Sequence, residues 1–325
     1  MATSRGTVRL HRSAVAATTR QAGVVARRQL LAWGWTSEEI QGQVRAGRWR
    51  RLHRGVYWTA TGPPPREASL WAALLACGEG SALCGPTAAE VWGFGPESVS
   101  IFVGVPATLR PRRRMWGVHV RNLSRLPQRT HPRFLPPRTT VEDTVLDLVD
   151  ESPDEATAIG WITAALQGRK TTPKKLLAAS LTRGRLGRRA LVELTCGDYR
   201  AGATTPLEIG WVRKVERAHG LPSAQRQVVG RVRGQLVRRD LGYAEFGLFV
   251  ELDGRLGHEG AENAFRDMDR DNAAAVEGRM TLRYGWTSVM SRPCDTAAQV
   301  GAVLTSRGWA GRLRKCAATC LVDSR

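Results

Sequence analysis

Residues 238–258 read RRDLGYAEFGLFVELDGRLGH, an apolar run set among charges. Two arginines precede Asp240. Further on, Phe246, Leu248, Phe249, Val250 and Leu252 carry two more acids, Glu251 and Asp253. Aromatic and β-branched residues bounded by glycines are strand chemistry. Side chains of a strand alternate between faces, so Glu251 and Asp253 share one. Two carboxylates side by side on a mostly buried strand repel unless a cation, an Arg or a proton sits between them. A functional role for the pair resolves that conflict.

Around this stretch the chain alternates elements. Thr205-Pro206-Leu207-Glu208 opens a helix with Leu207, Trp211, Val215 and Ala218 along one face. A strand is expected over 226–232 and a basic turn over 233–239. Beyond the opening stretch come a charged helix (262–277) ended by Gly278, a strand (280–284) and a helix (295–306). Residues 308–325 read as a basic, weakly ordered tail. Upstream, the polar CGDYRAGATT (196–205) reads as a boundary. The middle region shows helices at 67–77, 86–93, 140–150, 154–167, 173–181 and 186–195. Strands at 99–105 and 117–123 flank a basic loop, Arg110–Arg114, and no chemical constellation stands out there.

The N-terminal region has its own logic. Val24–Trp33 is expected to be helical and to end at Gly34. Thr36 or Ser37 caps a second helix through Val44, and WRRLHRGVYW (49–58) alternates as a strand. Helix, turn, helix and basic strand is a winged-helix order. It places Arg45, Arg48, Arg50, Arg51 and Arg54 for phosphate contacts; the competing reading is a small bundle with a solvated basic edge.

Length and composition bound the rest. A chain of 325 residues suits two or three domains. No apolar run approaches the ~20 residues of a membrane span, and Arg interrupts residues 1–30 throughout, so a cytoplasmic protein without a membrane partner is expected. The net charge of +20 points toward a polyanion. Arg, Ala and Gly are all abundant, as GC-rich codon usage alone would produce, so position says more than the total. Residues 1–60 hold eleven Arg against two Glu, whereas residues 251–300 hold six Arg against nine acids. Six scattered cysteines form no CxxC pair. Cys316 and Cys320 have no Cys or His pair near them in sequence to complete a zinc site, so reduced thiols are the plain expectation.

The C-terminal order, on TPLEIGWVRKVERAHGLP, RRDLGYAEFGLFVELDGRLGH and FRDMDRDNAAAVEGRMTLRYGW, resembles the restriction-endonuclease-like fold of the PD-(D/E)xK superfamily. The branch is that of very-short-patch-repair endonucleases. Residues 24–195 resemble AbiEi-family antitoxin regions through RRQLLAWGWTSEEI, WRRLHRGVYW and CGPTAAEVWGFG. The expected fold class is mixed α/β. It comprises a winged-helix region (1–60), an AbiEi-like α/β region (61–195), an endonuclease-like α/β domain with a central mixed sheet (203–306) and a basic tail (307–325).

The resemblance implies Asp240 and Glu251 as metal ligands and Glu208 as a helix-borne acid near the site. Phosphodiester hydrolysis needs charge neutralisation and an activated water, and Mg²⁺ or Mn²⁺ on carboxylates supplies both. His258 could polarise water, and Arg283 or Arg266 could neutralise charge. Asp253 stands where the superfamily has Lys, and no Pro precedes Asp240. The related repair enzymes also lack the Lys and use a nearby His. Each acid has a bland alternative. Glu208 completes a capping box, Asp240 can pair with Arg238 or Arg239, Asp253 can cap the turn before Gly254, and His258 can be a solvated turn residue. Asp267 and Asp271 read as surface residues. The expected function is a DNA-binding protein with a Mg²⁺-dependent endonuclease domain. The alternative is a non-catalytic transcriptional regulator, or an antitoxin with a cognate toxin, built on a degenerate nuclease-like domain.

Overall fold

A computed structural model describes residues 12–108, 115–232, 235–253, 272, 275–276, 278–320 and 322. The basic loop at 110–114, His258, Arg266, Asp267 and Asp271 lie outside these, as does most of the helix expected over 262–277. The chain is mixed α/β and divides into two compact units, Met1–Glu151 with Gly168–Lys175, and Ser152–Gln167 with Leu176–Arg325.

The first unit begins with α1 (Arg12–Arg20), β1 (Val24–Ala26), α2 (Arg27–Ala32), α3 (Ser37–Arg45), β2 (Arg50–His53) and β3 (Val56–Trp58). The helix expected over Val24–Trp33 is therefore a short strand followed by a short helix. Val24 and Val25 are β-branched and buried, and they pair antiparallel with β3 through Val24↔Trp58 and Val25↔Tyr57. The switch to helix falls at Ala26, whose amide donates to Gln29 Oε1 at 2.9 Å. Thr36, not Ser37, caps α3. Its Oγ1 accepts from Glu39 N at 3.2 Å while Glu39 Oε2 accepts from Thr36 N at 2.7 Å.

The stretch 49–58 folds into a hairpin at Gly55, giving a sheet of order β1-β3-β2. Val25, Leu30, Trp35, Ile40, Trp49 and Tyr57 close a small core beneath it, with the Trp35 and Trp49 rings 4.9 Å apart. Next come α4 (Arg66–Cys77), β4 (Ala82–Leu83), α5 (Gly85–Trp92), β5 (Ile101–Pro106), β6 (Val118–Leu123), α6 (Leu126–Arg129) and α7 (Val141–Glu151). The strands make a mixed sheet, β4 antiparallel and β5–β6 parallel.

The second unit contains α8 (Glu155–Gln167) and α10 (Arg189–Arg200), with α9 (Pro173–Thr182) between them in sequence. α10 continues to Arg200, past the expected end at 195. Then α11 (Pro206–Gly210) runs into a π-helical segment (Trp211–Arg217). β7 (Gln225–Val232), β8 (Gln235–Tyr243), β9 (Leu248–Asp253) and β10 (Met280–Gly285) build a sheet of order β10-β9-β8-β7. β7, β8 and β9 form an antiparallel meander, and β10 lies parallel to β9. Most of the expected turn at 233–239 is strand, because antiparallel pairing with β7, from Val228↔Arg239 to Val232↔Gln235, extends β8 back to Gln235. A second π segment (Thr287–Ser291) leads into α12 (Pro293–Ser306).

Trp211, Val215, Leu241, Leu248, Val250, Val300 and Leu304 fill the core between sheet and helices. Gly210 makes one close approach possible, since a Cβ there would lie 2.5 Å from Met290 Sδ. The tail is not loose. Cys320 and Val322 are buried in this core, Leu313 packs against it, and Arg314 N donates to His219 O at 2.9 Å.

Candidate acidic site

The acids converge where the β8–β9 ladder ends. The registered pairs run from Tyr243↔Leu248 to Leu241↔Val250, so Asp240 and Glu251 follow as the next residues on adjacent strands. Leu248 and Val250 bury on the core face of β9, which leaves Phe249, Glu251 and Asp253 on the other. Leu252 N donates to Asp240 Oδ2 at 2.8 Å, fixing that carboxylate across the strand boundary.

Glu251 is the electrostatically unusual member. Burial pushes its pKa up to about 7, the neighbouring Asp240 charge adds to this, and Arg239 opposes it. The Arg239 guanidinium lies 3.3 Å from Glu251 Oε1, donates to Thr281 Oγ1 at 3.2 Å and stacks over the Phe249 ring at 4.8 Å. It is 5% exposed. The conflict anticipated between Glu251 and Asp253 is thus displaced. Asp253, at the exposed end of β9, lies 3.7 Å from Arg283, and the like-charge neighbour of Glu251 is Asp240.

Glu208 is buried and fully engaged. Its Oε2 accepts from Thr204 N at 2.6 Å and Thr205 N at 3.2 Å, and Thr205 Oγ1 caps the helix in return. Its Oε1 accepts from Gln227 Nε2 at 2.9 Å. Gln227 sits in β7 with φ +52°, between the pairs Arg226↔Leu241 and Val228↔Arg239, level with Asp240. Glu208 therefore serves as the cap and also reaches, through Gln227, the strand position beside Asp240. Among the described residues no three acids lie close enough to share one ion; the acid pair offers two ligands. The one group of three or more that does is formed by His219, Cys294, Cys316 and Cys320. The two cysteines expected to stand alone thus have neighbours, brought in from distant sequence.

In the first unit, Arg45, Arg48, Arg50, Arg51 and Arg54 are all exposed, with Arg48 held by Gln43 Oε1 at 2.6 Å. Arg51 and Arg54 line a cleft of about 560 Å³ with Arg27, Arg28 and Tyr57. Arg45, Arg48 and Arg50 do not line it. Arg27 and Arg28 were missed because their pattern reads as the interior of one helix. Arg239 was read only as a partner for Asp240.

No family model matches the chain, and no curated protein matches it.

Proposed function

We propose that the chain is a DNA-binding protein whose second unit hydrolyses phosphodiester bonds with a divalent metal ion. The observation that carries this reading is the juxtaposition of Asp240 and Glu251 at the end of the β8–β9 ladder, with Glu251 burdened by burial and by its neighbour. Support also comes from the order of the elements. The PD-(D/E)xK resemblance implies a helix with Glu, a hairpin with Asp, a strand with Glu-x-Asp, a helix and a strand on a central mixed sheet, and an antiparallel meander with a fourth strand parallel to the third suits that order. The first unit's strand–helix–helix–hairpin order supports a winged helix, and its arginine-lined cleft supports contact with a phosphate backbone.

The donor set fits a hard cation. Two carboxylates suit Mg²⁺ or Mn²⁺, which keep water in most of their remaining positions. When bound, such an ion would polarise the phosphate and lower the pKa of a water. Asp240 and Glu251 would hold it. Leu252 N orients Asp240, Gln227 and Glu208 support the strand beside it, and Arg239 stands by to balance charge on Glu251. Asp253 and Arg283 lie at the open rim, where an arginine can meet a substrate phosphate.

Supercoiled plasmid incubated with the protein and Mg²⁺ or Mn²⁺ tests this. Nicking that disappears in Asp240→Ala and Glu251→Ala is expected. Equal nicking by all three proteins, or none by the wild type, overturns hydrolysis at this site.

A second reading has one specific observation in its favour. Arg239 already occupies the Glu251 carboxylate, so a guanidinium can replace the ion and leave a DNA-binding platform without hydrolysis. This regulator or antitoxin reading, with a toxin as protein partner, expects salt-sensitive DNA binding that survives Glu251→Ala, and no cleavage with any divalent ion.

A further inference from the structure

We infer that the second unit contains a structural zinc site formed by His219, Cys294, Cys316 and Cys320. The inference is independent of the acidic site and of the function proposed for it. One ligand atom from each of the four residues lies within 4.8 Å of every other. Cys294 Sγ is 3.7 Å from Cys316 Sγ and 3.6 Å from Cys320 Sγ. A tetrahedron with metal–sulfur bonds of about 2.3 Å has sulfur–sulfur edges of about 3.8 Å, so the thiols already stand near zinc spacing.

His219 supplies a second, separate observation. The residue is fully buried, and its Nδ1 lies 3.2 Å from Val215 O, a contact that fixes the proton on Nδ1. Nε2 is left with its lone pair, buried, and without any hydrogen-bond partner. A buried polar atom without a partner is costly. Metal ligation through Nε2, with Nδ1–H donated to a backbone carbonyl, is the usual arrangement of a ligating histidine. A disulfide would explain less. It would consume two of the three sulfurs and leave the third thiol and Nε2 unsatisfied.

Three elements supply the ligands. His219 follows the first π segment at the end of its helix, Cys294 lies in the first turn of α12, and Cys316 and Cys320 flank a turn closed by Cys320 N donating to Ala317 O at 3.0 Å. The Cys-x3-Cys spacing is within the range that zinc sites use. Four protein ligands close the coordination sphere, which marks the site as structural. The metal would clamp the C-terminal segment onto the core that Cys320, Val322 and Leu313 already join.

The test uses the full-length chain, purified under reducing conditions, with zinc counted by mass spectrometry after gel filtration. About one zinc per chain is expected. Cys316→Ser is the chosen variant because Cys316 is exposed, so loss of its thiol leaves the core packed. It is expected to retain the fold by circular dichroism and to lose the zinc. Cys77→Ser, in the other unit, is expected to keep it. Titration with Co²⁺ alone provides a readout independent of zinc content. A thiolate-to-cobalt absorption band should appear in the apo wild type and weaken in Cys316→Ser. Reduced, folded wild type that takes up neither zinc nor cobalt overturns the inference. So does a Cys294–Cys320 disulfide in protein isolated without air, or zinc retained in full by Cys316→Ser.

Discussion

Glu251 concentrates the chemistry of the acidic site in one titration. Its pKa is raised from 4.5 to about 7, so the folded state holds a proton there that the unfolded chain has already released. Stability from this residue is complete below about pH 4.5 and falls as pH rises through 7, because the folded state must then ionise a buried acid beside Asp240. The size of that fall, after screening through the partly open site, is on the order of 2 kcal/mol. Glu251→Gln removes the ionisation. In metal-free buffer the variant should therefore melt higher than wild type at pH 8, by roughly 4–8 °C, and equal to it near pH 5. Scanning calorimetry at the two pH values checks this, and a gap of the same size at both would mean that Glu251 does not titrate as its surroundings dictate. Part of this residue-scale picture was open to reading from the sequence: strand alternation set Glu251 beside Asp253, and the resemblance joined Asp240 to Glu251. Arg239 was not, because a side chain's partner across two strands depends on register, which alternation alone leaves free.

The sheet that brings these residues together depends on one small residue in β8. A Cβ on Gly242 would lie 2.9 Å from Val228 Cγ2 and 3.3 Å from Phe249 Cδ1, so β7, β8 and β9 are packed to the limit at that point. Val228 is β-branched and cannot swing aside. Gly242→Ala should cost about 1–3 kcal/mol by overpacking. Gly230 on β7 has nothing within 4 Å of its added Cβ, so Gly230→Ala should stay within about 0.5 kcal/mol of wild type. Denaturant midpoints of the two variants make the comparison, and equal losses would show that backbone freedom, not packing, is what Gly242 contributes. Elements of this kind were legible where period and length agreed, as for α4, α7, α8, β9 and α12. They were misread at Val24–Ala26, where three residues are too few to show a period and only pairing with β3 makes them a strand. They were also misread in the tail, whose basic composition suggested disorder. Its order comes from Leu313, Cys320 and Val322 meeting a core made of residues far away in sequence.

At the scale of the whole molecule, the +20 charge is a claim about partners only if it is placed where a polyanion can use it. The cleft of Arg27, Arg28, Arg51 and Arg54 is such a place in the first unit. Each arginine that neutralises a phosphate releases counterions and adds about 0.9 to the slope of log affinity against log salt on duplex DNA. Replacing Arg51 and Arg54 together by Ala should therefore lower that slope by about 2, provided both contact phosphates, and weaken binding to unrelated sequences alike. Both side chains are exposed, so the fold should tolerate their loss. Fluorescence anisotropy with a short duplex over ~50–200 mM salt measures the slope directly. Asp240→Ala and Glu251→Ala belong in the same series, because removing an acid from the second unit cannot reduce the number of cations that meet DNA. Their slopes should match wild type even where nicking is lost, which separates contact with the backbone from chemistry upon it. A slope unchanged by loss of Arg51 and Arg54 would mean that this cleft does not hold the duplex, and that the basic excess of the first sixty residues serves solubility or composition instead.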